Sequence, residues 1–249
     1  MAKEVQKLTL ITGASSGIGL ELAKCLEQTH RLILVGRRPL SDIDYSFAEN
    51  VSYIQADFSN PHAAVQTISN ALDAFGIEVL DHIVQCAGMG IYASPFDEEL
   101  LGIGNTISVN LTFPILLTRE LVSLLEDSAG KITLIGSIAH KGSPQMASYA
   151  ASKAGLNGFA RALQSEWQDR IGVQVIHPGP TLTPMLEKAG YKLGWEKHLF
   201  VPANVMASEI ARLMQTRKMK ATVFMGAKLK SWMFSNSQSV KTRTTGDKS

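Results

Sequence analysis

Leu8-Thr-Leu-Ile-Thr12 is a short apolar run, and Gly13-Ala-Ser-Ser-Gly17-Ile-Gly19 separates it from the helical pattern Leu20, Leu22, Ala23 and Leu26. Strand, glycine turn and helix in that order suit a dinucleotide. The glycines permit a tight turn and close backbone approach, and the helix N-terminus attracts a pyrophosphate. Gly13, Ser15, Ser16, Gly17, Ile18 and Gly19 are therefore candidate cofactor contacts. A glycine pattern alone also describes a mere tight turn, so the reading depends on the rest of the chain.

Further apolar runs recur at intervals that alternate with helical patterns, which predicts an α/β sheet. Strands are expected at Arg31 to Gly36, Val51 to Ala56, Leu80 to Cys86, Lys131 to Gly136, Val173 to His177 and Ala221 to Met225. Asn60-Pro61 has the form of an N-cap followed by a first-turn proline. A long helix is expected from about Gly104 to Glu126, kinked at Pro114, with Asn110 at its middle. Another is expected to carry Tyr149 and run to about Arg170, and a last one to run from Ala203 to Met214 behind Pro202. Residues 181 to 201 carry mixed signals and suit a mobile lid.

At the end of the second strand a carboxylate would bind the ribose hydroxyls of NAD; this chain has Gly36, Arg37 and Arg38. Guanidinium without carboxylate favours a 2′-phosphate, hence NADP (NADPH), although two arginines can also be plain loop charges. Asp57, after the third strand, either caps its turn or faces the adenine amino group. Ala87 and Gly88, after the fourth, are small enough for a cofactor to lie against the chain.

Tyr149 and Lys153 stand four residues apart, one helical turn along a shared face. A free phenol, with a pKa near ~10, is a poor proton donor at neutral pH. A cation within about 4 Å, at an effective dielectric of about 20, favours the phenolate by roughly 4 kcal/mol, or about three pK units. The same spacing also fits a packing tyrosine beside a solvated lysine. Ser137 decides between them: it ends the apolar run of a buried strand, where a hydroxyl can hold a substrate oxygen.

The chain has 249 residues, a net charge of +2 and 45% hydrophobic residues, enough for one sizeable core and without the charge of a nucleic-acid surface. Cys25 and Cys86 have no metal or redox spacing and are expected to be buried thiols in a reducing compartment. His140, three residues after Ser137, either lines the substrate pocket or, as expected, lies solvated in a loop; His177 is expected to be structural, and His30, His62, His82 and His198 show no ligand spacing. No signal peptide and no apolar run of about 18 residues is evident, which predicts a cytoplasmic protein. Residues 1–226 are read as one domain and 227–249 as a basic extension with a disordered end. Its Lys228-Leu-Lys-Ser-Trp-Met-Phe234 segment either docks on the chain or touches a membrane surface.

Taken together, Thr12-Gly-Ala-Ser-Ser-Gly-Ile-Gly19, Asp57, Ala87-Gly88, Asn110, Ser137, Tyr149-x-x-x-Lys153 and Pro178-Gly179 resemble the short-chain dehydrogenase/reductase family over about residues 5 to 215. The resemblance implies a three-layer, doubly wound Rossmann-type domain with a seven-stranded parallel sheet. It implies a catalytic tetrad of Asn110, Ser137, Tyr149 and Lys153, with Asn110 holding a proton-supplying water. It also implies cofactor contacts from Pro178, Gly179, Thr181 and Thr183, a small carbonyl or alcohol substrate, and a homodimer or homotetramer. Gln85-Cys-Ala-Gly88 departs from the usual Asn-Asn-Ala-Gly, which puts sheet packing there in question. An idle dinucleotide sensor or scaffold, or a membrane-surface protein, is the reading from another class.

Overall fold

A computed structural model describes residues 6–168, 170–216 and 218–223 of the chain. Seven strands pair in parallel: β1 (Lys7–Thr12), β2 (His30–Gly36), β3 (Val51–Gln55), β4 (His82–Gln85), β5 (Lys131–Ile135), β6 (Gly172–Pro178) and β9 (Lys220–Val223). Their order is β3-β2-β1-β4-β5-β6-β9. The winding reverses between β1 and β4, so a crevice opens beyond the carboxyl ends of those two strands. Thr12 pairs with both Val35 and Gln85, which brings β1, β2 and β4 to an end at one level.

Alternation along each strand feeds two cores. Leu10, Ile33, Ile83, Ile132 and Leu134 face one layer, formed by α2 (Pro61–Ala74), α4 (Phe113–Glu126) and α5 (Ala147–Trp167). Ile11, Leu32, Leu34, Val84 and Ile176 face the other, formed by α1 (Gly17–Leu26) and α7 (Ala203–Met214). Because both faces are covered, the strands read as continuous apolar runs.

The seven expected strands lie where the sequence puts them, to within one or two residues at their described ends. Asn60 caps α2, its Oδ1 accepting from the Ala63 N–H at 3.3 Å, with Pro61 in the first turn. The long helix differs. It begins as α3 (Leu100–Ile107), four residues before Gly104, and widens into a π-turn over Ser108–Thr112 before α4. Pro114 accounts for the widening, since it has no N–H to offer the carbonyl of Asn110 four residues earlier.

Leu100–Glu126, 27 residues with an 18-residue window of mean hydropathy 1.5, is long and apolar enough to cross a bilayer, which corrects the sequence-based expectation. Phe113, Leu117, Leu121 and Leu125 nevertheless pack into the core, as in an interior helix of an α/β layer.

Gln85 answers the packing question after β4. Its Nε2 donates to the Pro114 carbonyl at 3.2 Å and to Thr118 Oγ1 at 2.7 Å, tying the strand to α4, while β4 keeps full register with β1 and β5.

The expected lid is clasped at both ends. β7 (Thr181–Leu182) pairs with β8 (Val201–Pro202), and between them lie α6 (Pro184–Lys188) and a 3-10 turn over Trp195–Leu199. Cys25 is exposed rather than buried, because it lies on the outer edge of α1, its Sγ 3.8 Å from the Ser208 hydroxyl of α7; Cys86 is partly buried, and both are free. The basic segment from Lys228 onward lies outside the described residues.

Candidate active site

The glycine turn is closed by contacts only hydrogen could occupy. A Cβ at Gly13 would lie 2.7 Å from Ala87 Cα, and one at Gly19 would collide with the Gly13 carbonyl oxygen. Gly13 and Gly17 also have φ of +72° and +57°, the left-handed region that favours glycine. Thr12 Oγ1 accepts from the N–H groups of Cys86 and Ala87 at 3.2 and 3.3 Å, joining this turn to the chain after β4. Ser16, the N-cap of α1, makes no side-chain bond to its helix. Thr183 lies across from Gly17, 3.3 Å from where its Cβ would be. A narrow crevice with a helix N-terminus behind it fits a pyrophosphate.

Beyond the end of β4 the chain folds over residues of α5. A Cβ on Gly88 would lie 3.5 Å from both Asn110 Oδ1 and Lys153 Nζ, and one on Gly90 would lie 3.0 Å from the Tyr149 ring. Lys153 Nζ donates to the Ile135 carbonyl at 3.0 Å and sits 5.8 Å from the centroid of the Tyr149 ring. Ser137 follows β5, and its hydroxyl stands beside the Tyr149 phenol. Its Oγ accepts from the Ala139 N–H at 3.1 Å, which leaves the hydroxyl proton to donate elsewhere.

Asn110 is fully buried and its amide is nearly saturated. Oδ1 accepts from the Met89 N–H at 2.9 Å, while Nδ2 donates to the Met89 carbonyl at 2.8 Å and to Ser152 Oγ at 3.0 Å. Ser152 in turn donates to the Tyr149 carbonyl at 2.7 Å. The Asn110 side chain thus fixes the strand-end loop to α5, and its own carbonyl is the one Pro114 cannot serve.

Electrostatics depart from the sequence-based expectation at one point. Burial pushes the Tyr149 phenol up, the Ser137 hydroxyl acts in the opposite direction, and the Cys86 thiol raises it further. Burial likewise lowers Lys153 to about 8, offset in part by the Cys86 thiol. Among the protein's own groups Lys153 therefore does not bring Tyr149 down to neutrality. Desolvation penalises both charged forms, and the ammonium is held to the Ile135 carbonyl rather than against the phenol. Cys86, pushed up to about 12 by burial, remains a neutral thiol.

At the rim, Arg37 is exposed and Arg38 half-buried. Gln55 Nε2 donates to the Arg37 carbonyl at 3.1 Å, and the Tyr53 hydroxyl donates to the Arg38 carbonyl at 2.6 Å. Asp57 is exposed, and its Oδ1 accepts from the Ser59 N–H at 3.1 Å, so it does cap its turn. Gly179 donates its N–H to the Val223 carbonyl at 2.9 Å, and the Thr181 hydroxyl donates to the Gly179 carbonyl at 2.9 Å, which shapes the segment after Pro178. A concavity of about 520 Å³ is lined by residues from Leu40 to Tyr53, and no catalytic candidate lines it.

Sequence reasoning assigned no role to Ser152 and did not foresee that His140 and His177 both touch Ser137. His140 is not solvated but half-buried, stacked on His177 at 4.0 Å between centroids. The pattern Tyr149-x-x-Ser152 was the one available signal, one helical turn from the tyrosine. Among the described residues no cluster has metal-ligand composition.

A glycine-lined crevice at the switch point, with the buried Tyr149 and Lys153 and the half-buried Ser137 beside it, suits an oxidoreductase. Residues 7–193 match the short chain dehydrogenase family, and the chain belongs to that family. It is 29% identical over 197 residues to 11-beta-hydroxysteroid dehydrogenase A of Sesamum indicum, covering 76% of this chain but only 56% of that longer protein. It is 32% identical over 192 residues to acetoacetyl-CoA reductase of an Acinetobacter species, covering 73% and 77% of the two chains. Among solved structures, 4-hydroxyisoleucine dehydrogenase complexed with NADH superposes with a TM-score of 0.77 and 25% identity, covering 88% of this chain and 97% of that one.

Proposed function

We propose that this chain transfers a hydride between NADP(H) and a carbonyl or secondary alcohol, with Tyr149 as proton donor and acceptor. The observation that carries the reading is the burial of Tyr149 and Lys153 together under Gly88 and Gly90, with the Ser137 hydroxyl beside the phenol. The named relatives are a hydroxysteroid dehydrogenase and an acetoacetyl-CoA reductase, and the similar solved structure holds NADH, which supports a nicotinamide cofactor and an oxygen-bearing carbon as substrate.

The glycine turn from Gly13 to Gly19 would hold the pyrophosphate, Arg37 and Arg38 the 2′-phosphate, Asp57 the adenine, and Pro178, Gly179, Thr181 and Thr183 the nicotinamide. A nicotinamide held there would supply or accept the hydride. Ser137 gives a hydrogen bond to the substrate carbonyl oxygen, and Tyr149 transfers its proton to that oxygen as negative charge develops on it. Lys153, when charged, favours the resulting phenolate. A water that restores the proton rests on the Asn110 carbonyl, since the side chain is engaged by Met89 and Ser152. Cytoplasmic residence is part of this reading, and the unpaired Cys25 and Cys86 agree with a reducing compartment. NADPH consumption on a panel of apolar ketones and aldehydes tests the function; binding without turnover on any of them would reduce the chain to a sensor.

Lys153 sets a pH limit. Its pKa is lowered, so the ammonium is present below about 8 and is lost as pH rises through that value. In the free enzyme kcat/KM for reduction is therefore expected to fall on the alkaline side of about 8. A flat profile up to about pH 10, the range of an unperturbed lysine, would remove Lys153 charge from the mechanism.

Association through α4 and α5 as a homodimer or homotetramer is also proposed. Ile115 is exposed on α4 and Leu116 and Leu124 are half-buried, which offers them to a contact, whereas Leu121 belongs to the monomer core. Ile115→Glu should shift the mass measured by light scattering toward the monomer; an unmodified protein that is already monomeric at micromolar concentration would end the idea.

A further inference from the structure

Ser137 is held by its carbonyl as well as by its hydroxyl. His140 Nδ1 lies 2.7 Å and His177 Nδ1 lies 3.1 Å from the same Ser137 carbonyl oxygen, and the two rings stack at 4.0 Å with 25° between their planes. Several elements build the arrangement. His177 is fully buried on β6, directly before Pro178, and His140 is in the 3-10 turn over Ile138–Lys141. Asn157 Oδ1, on α5 one turn beyond Lys153, lies 3.1 Å from His177 Nε2. Gly136 leaves room for the ring, since a Cβ there would collide with His177 Nδ1.

We infer that His140 and His177 are paired positioning residues, both donating from Nδ1 to the Ser137 carbonyl so that the Ser137 hydroxyl is aimed at the substrate oxygen. This rests on the proposed reading of Ser137. Only a protonated nitrogen can bond a carbonyl, so each neutral ring must carry its proton on Nδ1. The His177 Nε2 is then an acceptor, and the Asn157 amide turns its NH2 rather than its oxygen toward it.

Burial lowers His177 to about 4, and His140, Lys220 and Lys153 push it the same way against the Ser137 carbonyl, so it keeps one proton above that pH. The His140 backbone N–H also donates to this oxygen at 3.1 Å, so the two rings add to a turn bond already present and together fix the Ser137 peptide. Because His177 precedes Pro178, the same ring ties the serine to the strand end that, in the proposed reading, borders the nicotinamide.

His140→Phe keeps the stacked ring and removes the donor; His140→Asn places an amide N–H near the former Nδ1. With wild-type turnover of a carbonyl substrate established, His140→Phe should lower kcat about tenfold, the size of one neutral hydrogen bond, leaving NADPH affinity unchanged. His140→Asn should restore most of kcat. His177→Asn should change kcat and the NADPH KM together. Full kcat in His140→Phe, or Asn as poor as Phe, overturns the inference.

The tautomers give a readout that needs no activity. Two-dimensional nitrogen–proton spectra of histidine-labelled protein at neutral pH should show both rings protonated at Nδ1, and an Nε2–H tautomer at His140 overturns the inference. If Ser137→Ala instead retains full turnover, the reading of Ser137 fails while the tautomers still report whether the clamp exists.

Discussion

Tyr149→Phe is expected to lower kcat for carbonyl reduction by about 10²- to 10⁴-fold, the contribution typical of a positioned general acid, while NADPH affinity changes little. The phenyl ring keeps the contact under Gly90, where a Cβ would lie 3.0 Å from Tyr149, so the loop over the site should stay in place. Only the hydroxyl is lost, along with its relation to Ser137. Lys153→Ala differs in kind. Nζ is buried, bonds the Ile135 carbonyl and stands beside Gly88, so its removal should weaken cofactor binding as well as turnover. Single-turnover rates measured beside NADPH titration by fluorescence separate the two variants. Substantial turnover by Tyr149→Phe at saturating substrate would sink the proton-transfer role.

The sheet was legible because its strands are covered on both faces and therefore read as nearly uninterrupted apolar runs. The glycine turn was legible because a strand before it and a helix after it left few other readings. Contacts between residues far apart in sequence were not. Nothing in Ser137-Ile-Ala-His140 shows that the imidazole folds back onto the Ser137 carbonyl, or that His177, on another strand, stacks against it. The π-turn at Ser108–Thr112 was partly signalled by Pro114, but its extent depends on the Asn110 amide finding Met89 and Ser152. The Tyr149 phenol illustrates a different limit. Spacing gives the neighbour, and only burial gives the sign of the balance between desolvation and charge.

Cofactor choice is where the fold most changes the expected effect of a substitution. NADPH is expected to be preferred over NADH by at least about tenfold in kcat/KM, from charge-assisted bonds of roughly 1.5–3 kcal/mol between a guanidinium and the 2′-phosphate. Arg37→Ala should remove most of that preference and leave activity with NADH nearly unchanged. From the sequence alone, Gly36→Asp is the natural way to add a ribose acceptor. In the fold, a Cβ at Gly36 would lie 2.6 Å from the Tyr53 hydroxyl oxygen and 2.8 Å from Ser15 Cβ. Tyr53 cannot withdraw without giving up its 2.6 Å bond to the Arg38 carbonyl. Gly36→Asp should therefore cost about 1–3 kcal/mol of stability by overpacking, a fall in Tm of roughly 2–4 °C per kcal/mol. It should also displace Ser15 and the phosphate turn, weakening both cofactors. The carboxylate belongs one residue later, at the exposed position, and Arg37→Asp is expected to tilt the enzyme toward NADH without loss of Tm. Equal kcat/KM for the two cofactors in the unmodified protein would show the arginines to be loop charges, and a Gly36→Asp variant with wild-type Tm and NADPH affinity would show that the Tyr53–Ser15 contact yields.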